Sequence, residues 1–560
     1  MVRASVFGEL VRHFFGRFFD RESLSPQSEP AAGVFQTLGM LAAPGGIVSI
    51  LALVFTFERW DLVGFRFLFI CFSMAALGVA MVFEWNALFP DRRDYQILTP
   101  LPLRTFTLFL AKVVALFGFL GIFLAAANFF GVFFWPSIES RGGFFAIAGT
   151  HLLVTSAAGL FSALAIAAFQ GVLVTIFRGA VYRKISVCAQ TLTMAALIMC
   201  FFLAPLAGTS IPALCRANSP LLHWFPAFWF AGLYEQLRPA VSQAMWSARP
   251  DPAQAANAAR VLWSLGGTAL RALSLALAIF LLVFLPGYRR HARRVLETPE
   301  LDPKGPGWLR RHLTRAADRL LLRNPVERAV FHFIGQTLAR SAKHRLFLAT
   351  YGGFGAALVV AMLASGGASQ RIPLTLSFIL VSGLRAAFNF PAELRANWVF
   401  QMTETSLPAG YARATRKWML VCAILPLFLL LAPIEFRRAS FAAVAFQFAF
   451  GVSVSTLLME ALFLSFHKVP FTCSHFPGKL NLVFLTVLYF FGFTFYSSLM
   501  TDLESWLWRV PIAVLVFLPA VAGGLAALRR VGGNLLNEEP GLKYEDEGNP
   551  AVRVLGLTGQ

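Results

Sequence analysis

Three charged side chains interrupt long apolar stretches of this 560-residue sequence and are the first candidates for chemistry: Lys112, Arg271 and Glu460. A charge inside a bilayer is costly, so such residues usually line a pathway or pair within a helix bundle. Lys112 follows Arg104 by about two helical turns and can extend to the interface. Arg271 and Glu460 are candidate pathway or structural residues. They are predicted to enter from opposite leaflets and therefore not to pair directly.

Enzyme signatures are missing from the sequence. It contains no HExxH, GxSxG, GxGxxG or GxxxxGK[ST] motif. The six cysteines include no CxxC pair, and neither they nor the nine histidines have metal-ligand spacing. We therefore expect no catalytic residue, no metal site and no cofactor in this chain.

The composition places the charged residues in a membrane protein. Hydrophobic residues make up 57% of the chain and charged residues only 14%, too few to cover water-soluble domains. A membrane-spanning helix needs about 20 apolar residues. Twelve such runs predict an all-α polytopic fold, near 34–57, 65–83, 105–135, 144–177, 185–214, 263–286, 346–365, 372–390, 418–435, 440–466, 482–501 and 510–528.

The net charge of +20 is explained by where lysine and arginine fall. Most of them lie in alternate loops, which predicts that both termini are cytoplasmic in a bacterial-type inner membrane. The lipid bilayer is then the expected environment, and the basic balance needs no nucleic-acid partner. No signal peptide is visible before the first apolar run.

A basic, proline-containing stretch divides the runs six plus six in parallel orientation. Amphipathic helices are predicted before the first and seventh spans, around Val6–Phe19 and Val330–Leu338. A weak repeat supports two related halves, since Thr99, Leu101 and Pro102 recur in register as Thr405, Leu407 and Pro408. The predicted organisation is an amphipathic helix with linker (1–33), a first half (34–286), a basic linker with the second amphipathic helix (287–345), a second half (346–528) and a tail (529–560).

The most informative loop lies between the second and third runs. It is charged at first and then contains two prolines, which force an extended turn before the next helix. Such a short, rigid element can transmit force from a partner into the adjoining spans. Its candidate residues are Asp91, Arg92, Arg93, Asp94, Thr99, Pro100, Pro102 and Arg104, followed by Lys112.

This loop resembles the cytoplasmic loop of the permease subunits of ABC-2-type exporters, which has a charged helix, a Thr-Pro turn and a lysine about ten residues later. The resemblance implies that the loop docks on a separate ATP-binding subunit, expected in two copies, with ATP and Mg²⁺ bound there. A looser match in the second half contains Glu393, Arg395, Pro408 and Lys417. An aromatic segment between the fifth and sixth runs resembles the external re-entrant hairpin of the same family. Its candidate residues are Pro220, Trp224, Pro226, Trp229 and Tyr234.

Two other functions remain open. The Asp91-Arg92 pair and the six-plus-six layout also suit a secondary transporter of the major facilitator kind, although that family's loop is short and flanked by glycine. A polytopic enzyme acting on lipid-linked substrates would need a polar interfacial cluster. The candidates for it are Asp502, Glu504, Trp506 and Arg509, which are more simply interpreted as a short loop.

Overall fold

The computed structural model describes the chain in segments, and everything below concerns these residues. They are 2–19, 42–50, 62–85, 88, 105–139, 143–177, 179–238, 252–297, 318–319, 321–322, 324–364, 366, 370–393, 397–402, 409–437, 439–464, 466, 468–472 and 482–538.

The described part of the chain is helical and contains no β-strand. Nine of its helices are long and apolar enough to cross a membrane. This confirms an all-α, polytopic membrane-type fold. The count of twelve spans stays a prediction. One predicted span, Arg371–Ala387, is a helix of only 17 residues.

The chain divides into two compact units, Met1–Asp302 (unit 1) and Pro303–Gln560 (unit 2). Unit 1 begins with the amphipathic helix α1, and a helical segment at 42–50 is called α2. Its helices are α1 (Val2–Phe19), α3 (Leu62–Phe83), α4 (Thr105–Glu139), α5 (Phe144–Ile176), α6 (Gly179–Arg216), α7 (Leu221–Trp224), α8 (Pro226–Leu237) and α9 (Pro252–Glu297).

Helix α3 forms the centre of unit 1 and packs against α4, α5, α6 and α8. Its close approach to α6 depends on two small residues. A Cβ atom built on Gly208 would lie 3.2 Å from the Cα of Gly64, so the two backbones meet at glycine. Buried hydrogen bonds add to this packing, because Ser73 donates to the carbonyl of Thr155 (2.7 Å) and accepts from Asn128 (3.2 Å). Small and weakly polar residues thus hold α3 among its neighbours.

Unit 2 begins with a second amphipathic helix, α10, whose amide end is capped by Asn324. Its helices are α10 (Pro325–Arg340), α11 (Ala342–Ala364), α12 (Arg371–Ala387), α13 (Asn397–Met402), α14 (Ala409–Met419), α15 (Leu425–Glu435), α16 (Phe441–Leu462), α17 (Leu482–Arg509) and α18 (Val514–Glu538).

A π-helical turn at Leu420–Ile424 joins α14 to α15 without a break. Pro426 follows that turn and lacks the N–H that a regular helix would use. A π-turn absorbs such a lost hydrogen bond by changing the local register. Helices α14 and α15 therefore form one element that is long and apolar enough to cross a membrane, and it contains the apolar run near 418–435.

Residues 502–509, interpreted from the sequence as a loop, instead continue helix α17 to Arg509. No glycine or proline interrupts the chain between Met500 and Arg509, and the next proline is Pro511. The polar side chains of this stretch do not end the helix, because residues such as Glu, Leu and Trp are all tolerated in a helix interior and leave its backbone hydrogen bonds intact.

The two units share an order of packing. In unit 1, α1 packs on α4, α3 on α5 and α6, and α5 on α9. In unit 2, α10 packs on α14, α12 on α16 and α17, and α16 on α18. The short helices α7 and α8 occur only in unit 1, where they separate α6 from α9. In unit 2 only Val510 separates α17 from the 3₁₀ turn Pro511–Ala513 that leads into α18.

Candidate functional site

Most of the predicted ATPase-coupling loop lies outside the described residues. These positions are Asp91, Arg92, Arg93, Asp94, Thr99, Pro100, Pro102, Arg104, Arg395 and Pro408. The described candidates are Lys112, Glu393 and Lys417. Lys112 and Lys417 lie on helices, whereas Glu393 lies in a non-helical stretch.

Lys112 lies in the second turn of α4 and is only 6% exposed. Its ammonium nitrogen is 5.6 Å from the ring centroid of Phe14, a buried residue of the amphipathic helix α1. This distance is within the range of a cation–π interaction. Lys112 thus joins α1 to the helix that begins directly after the predicted coupling loop.

Lys417 has the corresponding position in unit 2, on α14. Its ammonium lies 2.6 Å from the carboxylate of Glu327, on the amphipathic helix α10, and donates to the carbonyl of Leu321 at 3.0 Å. Arg413, one turn earlier on α14, lies 3.0 Å from the other oxygen of Glu327. Because Glu327 is buried, these contacts fix α10 to α14.

Glu393 is exposed, directly after a loop held by backbone hydrogen bonds. The amide of the preceding residue, Ala392, donates to the carbonyl of Phe471 at 2.9 Å. The amide of Phe471 in turn donates to the carbonyl of Phe388, at the end of α12. The predicted second coupling segment therefore begins at an ordered, exposed point of unit 2.

Glu460, a predicted pathway or structural residue, is 1% exposed and ion-paired. One oxygen lies 2.9 Å from Arg416 on α14, and the other lies 2.9 Å from Arg529 on α18. The carboxylate therefore ties three helices together at one end of unit 2, which we call the Glu460 end. Arg271, the other predicted pathway residue, is an exposed residue of unit 1 whose guanidinium bonds to Gly267 and Thr268 of its own helix.

A second polar cluster, in unit 1, is not among the residues predicted from the sequence. Arg66 of α3 lies 3.0 Å from Glu139 of α4 and 3.3 Å from Glu235 of α8. Arg238, directly after α8, lies 3.1 Å from the second oxygen of Glu139. All four side chains are at most 9% exposed. We call these four residues the buried ion-pair cluster, and the end of unit 1 that holds them the Glu139 end.

Aromatic side chains surround this cluster. The indole of Trp135 donates to Glu139 at 2.7 Å, and the guanidinium of Arg66 lies 4.3 Å from the ring centroid of Tyr234. His151 of α5 stacks on Trp135 with ring centroids 5.4 Å apart. Within the described part of the chain, neither ring nitrogen of His151 has a hydrogen-bond partner. The cluster is thus shielded from water, which strengthens its electrostatic interactions.

The aromatic segment predicted to be a re-entrant hairpin forms the two short helices α7 and α8. Pro220 precedes α7 as its cap, and Pro226 is the first residue of α8, where its missing N–H costs nothing. Trp224 is 81% exposed, whereas Trp229 is half-buried and donates to the carbonyl of His223. Tyr234 is buried beside Arg66. Helix α8 packs on α3, α5 and α9, so it is part of the core of unit 1.

At the other end of unit 1, uncharged polar side chains join α3, α5 and α6. The indole of Trp85 donates to the hydroxyl of Ser186 at 2.9 Å, and the amide of Gln190 donates to the carbonyl of Val82 at 3.0 Å. The amide of Gln170 also donates to the carbonyl of Trp85. The end of α3, the end of α5 and the start of α6 therefore meet at one end, as an alternating membrane topology requires.

Metal binding has no support in the described residues, which contain no group of three histidine, cysteine or acidic side chains able to hold an ion. Comparisons of the chain with family models, with curated proteins and with solved structures found no match.

Proposed function

We propose that this chain is the membrane-spanning permease component of an ATP-driven exporter of the ABC-2 type. It forms the substrate pathway and couples to a separate ATPase. Three features support the proposal: the set of long apolar helices, the resemblance of the charged Asp91–Arg104 loop to that family, and the amphipathic helices that precede each series of spans.

One observation carries the proposal furthest. In both units the last lysine among the coupling candidates lies on the helix that leads into a span, and it contacts the amphipathic helix. Lys112 contacts Phe14 in unit 1, and Lys417 contacts Glu327 in unit 2. A push on the segment is then passed at once to both the span and its amphipathic helix. A loop that only connects two spans has no need of such a connection.

The shared packing order of the two units favours two parallel repeats of six spans each. In this layout the Glu139 end of unit 1 faces outward, the Glu460 end of unit 2 faces the cytoplasm, and both termini are cytoplasmic in an inner membrane. The ATPase binds at the cytoplasmic face, in two copies beneath segments 86–104 and 391–417. It supplies the ATP and Mg²⁺ chemistry, for which this chain has no motif.

The test is purification of the chain from its native membrane in mild detergent, followed by identification of co-purifying proteins. A stoichiometric P-loop ATPase is the expected result. The charge-reversed variant D91K/D94K should lose that ATPase while staying inserted, and the variant D502N, at an exposed position on α17, should retain it. Cargo movement by the purified chain down an ion gradient, without nucleotide, would overturn the proposal.

A further inference from the structure

Helix α18 presents a continuous exposed face in unit 2. Among the described helices that are long and apolar enough to span a membrane, it is the least buried, since only 6% of its most apolar stretch lies inside the protein. Exposed residues recur along it at intervals of three or four positions and therefore share one face. They are Leu515, Leu518, Ala522, Ala526 and Arg529. This face is apolar over most of its length and ends in an arginine.

Arg529 marks the point where this face leaves the hydrocarbon layer of the bilayer. No charged residue occurs at 510–528, and about 20 apolar residues are needed to cross that layer. The side chain of Arg529 is 58% exposed, and the next residue, Arg530, is exposed as well. Two arginine side chains therefore meet the lipid at the level of its headgroups.

Only part of this positive charge is matched within the described residues. Glu460 pairs with Arg529 and also with Arg416 of α14. A terminal nitrogen of Arg416 lies 3.7 Å from the position of a Cβ atom built on Gly532, so its guanidinium rests against α18 within one turn of Arg529. Three arginines thus share one carboxylate. The buried ion-pair cluster of unit 1 instead balances two arginines with two glutamates.

The guanidinium of Arg529 keeps donors available for a ligand. Its Nε donates to Glu460 at 2.9 Å, and its two Nη groups have no hydrogen-bond partner among the described residues. Arg530 makes no ion pair with any side chain in the same part of the structure. A planar guanidinium suits a phosphate group, which it can bind through two parallel hydrogen bonds.

We propose that Arg529 and Arg530 bind the phosphate of an anionic phospholipid whose acyl chains lie along the exposed face of α18. The apolar face and the arginines are continuous, so one amphipathic molecule matches both. Ala522 and Ala526 are small, which lets an acyl chain approach the helix closely just before the arginines. The surplus of positive charge favours an anionic headgroup over a zwitterionic one. An acidic protein surface would match the arginines but not the adjoining apolar face.

This lipid site stands on unit 2 alone. It requires that α18 lies in a bilayer, and it depends on neither the substrate pathway nor the ATPase of the proposed function. Other exposed arginines lack this combination of features. The guanidinium of Arg271, for example, bonds to Gly267 and Thr268 of its own helix. Arg271 and the exposed Arg437 therefore serve as matched controls.

The experiment measures which lipid lies beside this face in nanodiscs. A bimane fluorophore is attached at Ala522→Cys in a full-length chain without its own cysteines. This position precedes Arg529 by about 10 Å on the same face, at 1.5 Å per residue. Lipids with a nitroxide midway along an acyl chain quench the fluorophore on contact. Labelled phosphatidylglycerol should quench it with an apparent affinity about fivefold higher than labelled phosphatidylcholine. Unlabelled phosphatidylglycerol should compete, and free glycerol phosphate should not.

The variants are compared in this labelled chain. R529Q/R530Q should abolish the preference, so that both lipids quench equally. The matched control R271Q/R437Q removes two exposed arginines elsewhere and should keep the preference within twofold of the parent chain. R529K/R530K keeps both charges and should retain at least half of it. R530Q alone should reduce the preference to about twofold. Because Arg530 has no ion pair to lose, a folding defect would not explain that reduction.

Equal quenching by the two lipids in the parent chain, or an unchanged preference in R529Q/R530Q, would overturn the proposed site. If R529Q/R530Q kept the lipid preference but lost a co-purifying ATPase, the arginines would belong to a protein interface instead. Competition by glycerol phosphate would likewise replace the lipid by a free phosphate. The measurement uses the purified chain alone, so this inference and the proposed function fail separately.

Discussion

Replacing Glu139 by glutamine should destabilise unit 1 strongly. The substitution keeps the shape of the side chain and removes the one charge that both Arg66 and Arg238 share, at 3.0 and 3.1 Å. Of its two carboxylate partners, Arg66 then keeps Glu235, at 3.3 Å. Since the site is nearly inaccessible to water, solvent cannot replace the lost carboxylate.

The expected loss is about 3–5 kcal/mol of unfolding free energy. At an effective dielectric constant of about 20, each of the two contacts is worth about 5 kcal/mol of gross attraction. Most of that offsets the cost of burying the charges, but removing one partner of a buried ion pair leaves the remaining buried charges less well compensated, which typically costs about 3–5 kcal/mol. The unfolding equilibrium should therefore shift by more than a hundredfold.

The measurement is reversible denaturant-induced unfolding of the full-length chain in mixed micelles. Glu9→Gln is the matched control, because it makes the same chemical change at an exposed position of unit 1. The control should lie within about 0.5 kcal/mol of wild type. If Glu139→Gln were as stable as Glu9→Gln, the buried ion-pair cluster would contribute little and our account of how α8 is held would be wrong.

Three further predictions concern packing, the Glu460 end and the orientation of the chain in the membrane. Gly232→Ala should destabilise unit 1 by about 2 kcal/mol or more, because the added Cβ would overlap the backbone of α9. Gly267→Ala is the control, since its Cβ would meet open space, and it should be neutral or slightly stabilising in the same unfolding assay. Glu460→Gln should cost about 1–3 kcal/mol, less than the change at Glu139 because one of its two arginine partners is 58% exposed. In a chain without its own cysteines, Ala217→Cys should react with an impermeant maleimide from outside and Lys343→Cys only from the cytoplasmic side; the reverse labelling pattern would refute the proposed orientation.

The helices were the most predictable part of this molecule. The apolar run near 144–177 corresponds to helix Phe144–Ile176. The two agree because the thickness of the bilayer sets both the length of the apolar run and the length of the helix that spans it. Helix ends were less predictable. The run near 263–286 predicts a shorter helix than Pro252–Glu297, since polar residues can continue a helix beyond the apolar stretch.

The buried charges were predictable as individual residues but not as pairs. Glu460 is recognisable in an apolar run, yet its partners Arg416 and Arg529 come from other helices, and Arg529 is 69 residues away. Arg66 and Glu139 lie at the edges of their apolar runs, where a charge usually faces the interface. One signal could have revealed the buried ion-pair cluster. The predicted topology places the positive Arg66 on the same side of the membrane as the negative Glu139 and Glu235, so these residues could have been expected to pair.

The two units differ most in how their corresponding ends are held, and this difference has a mechanical consequence. At the Glu139 end of unit 1, ion pairs join α3, α4 and α8, so these elements must move together or break buried charge contacts. At the end of unit 2 where α17 finishes and α18 begins, an apolar cluster packs α12, α16, α17 and α18 together. In the described part of the chain no ion pair joins these helices at this end. If the chain changes shape during a transport cycle, movement at this end of unit 2 therefore costs less than movement at the Glu139 end.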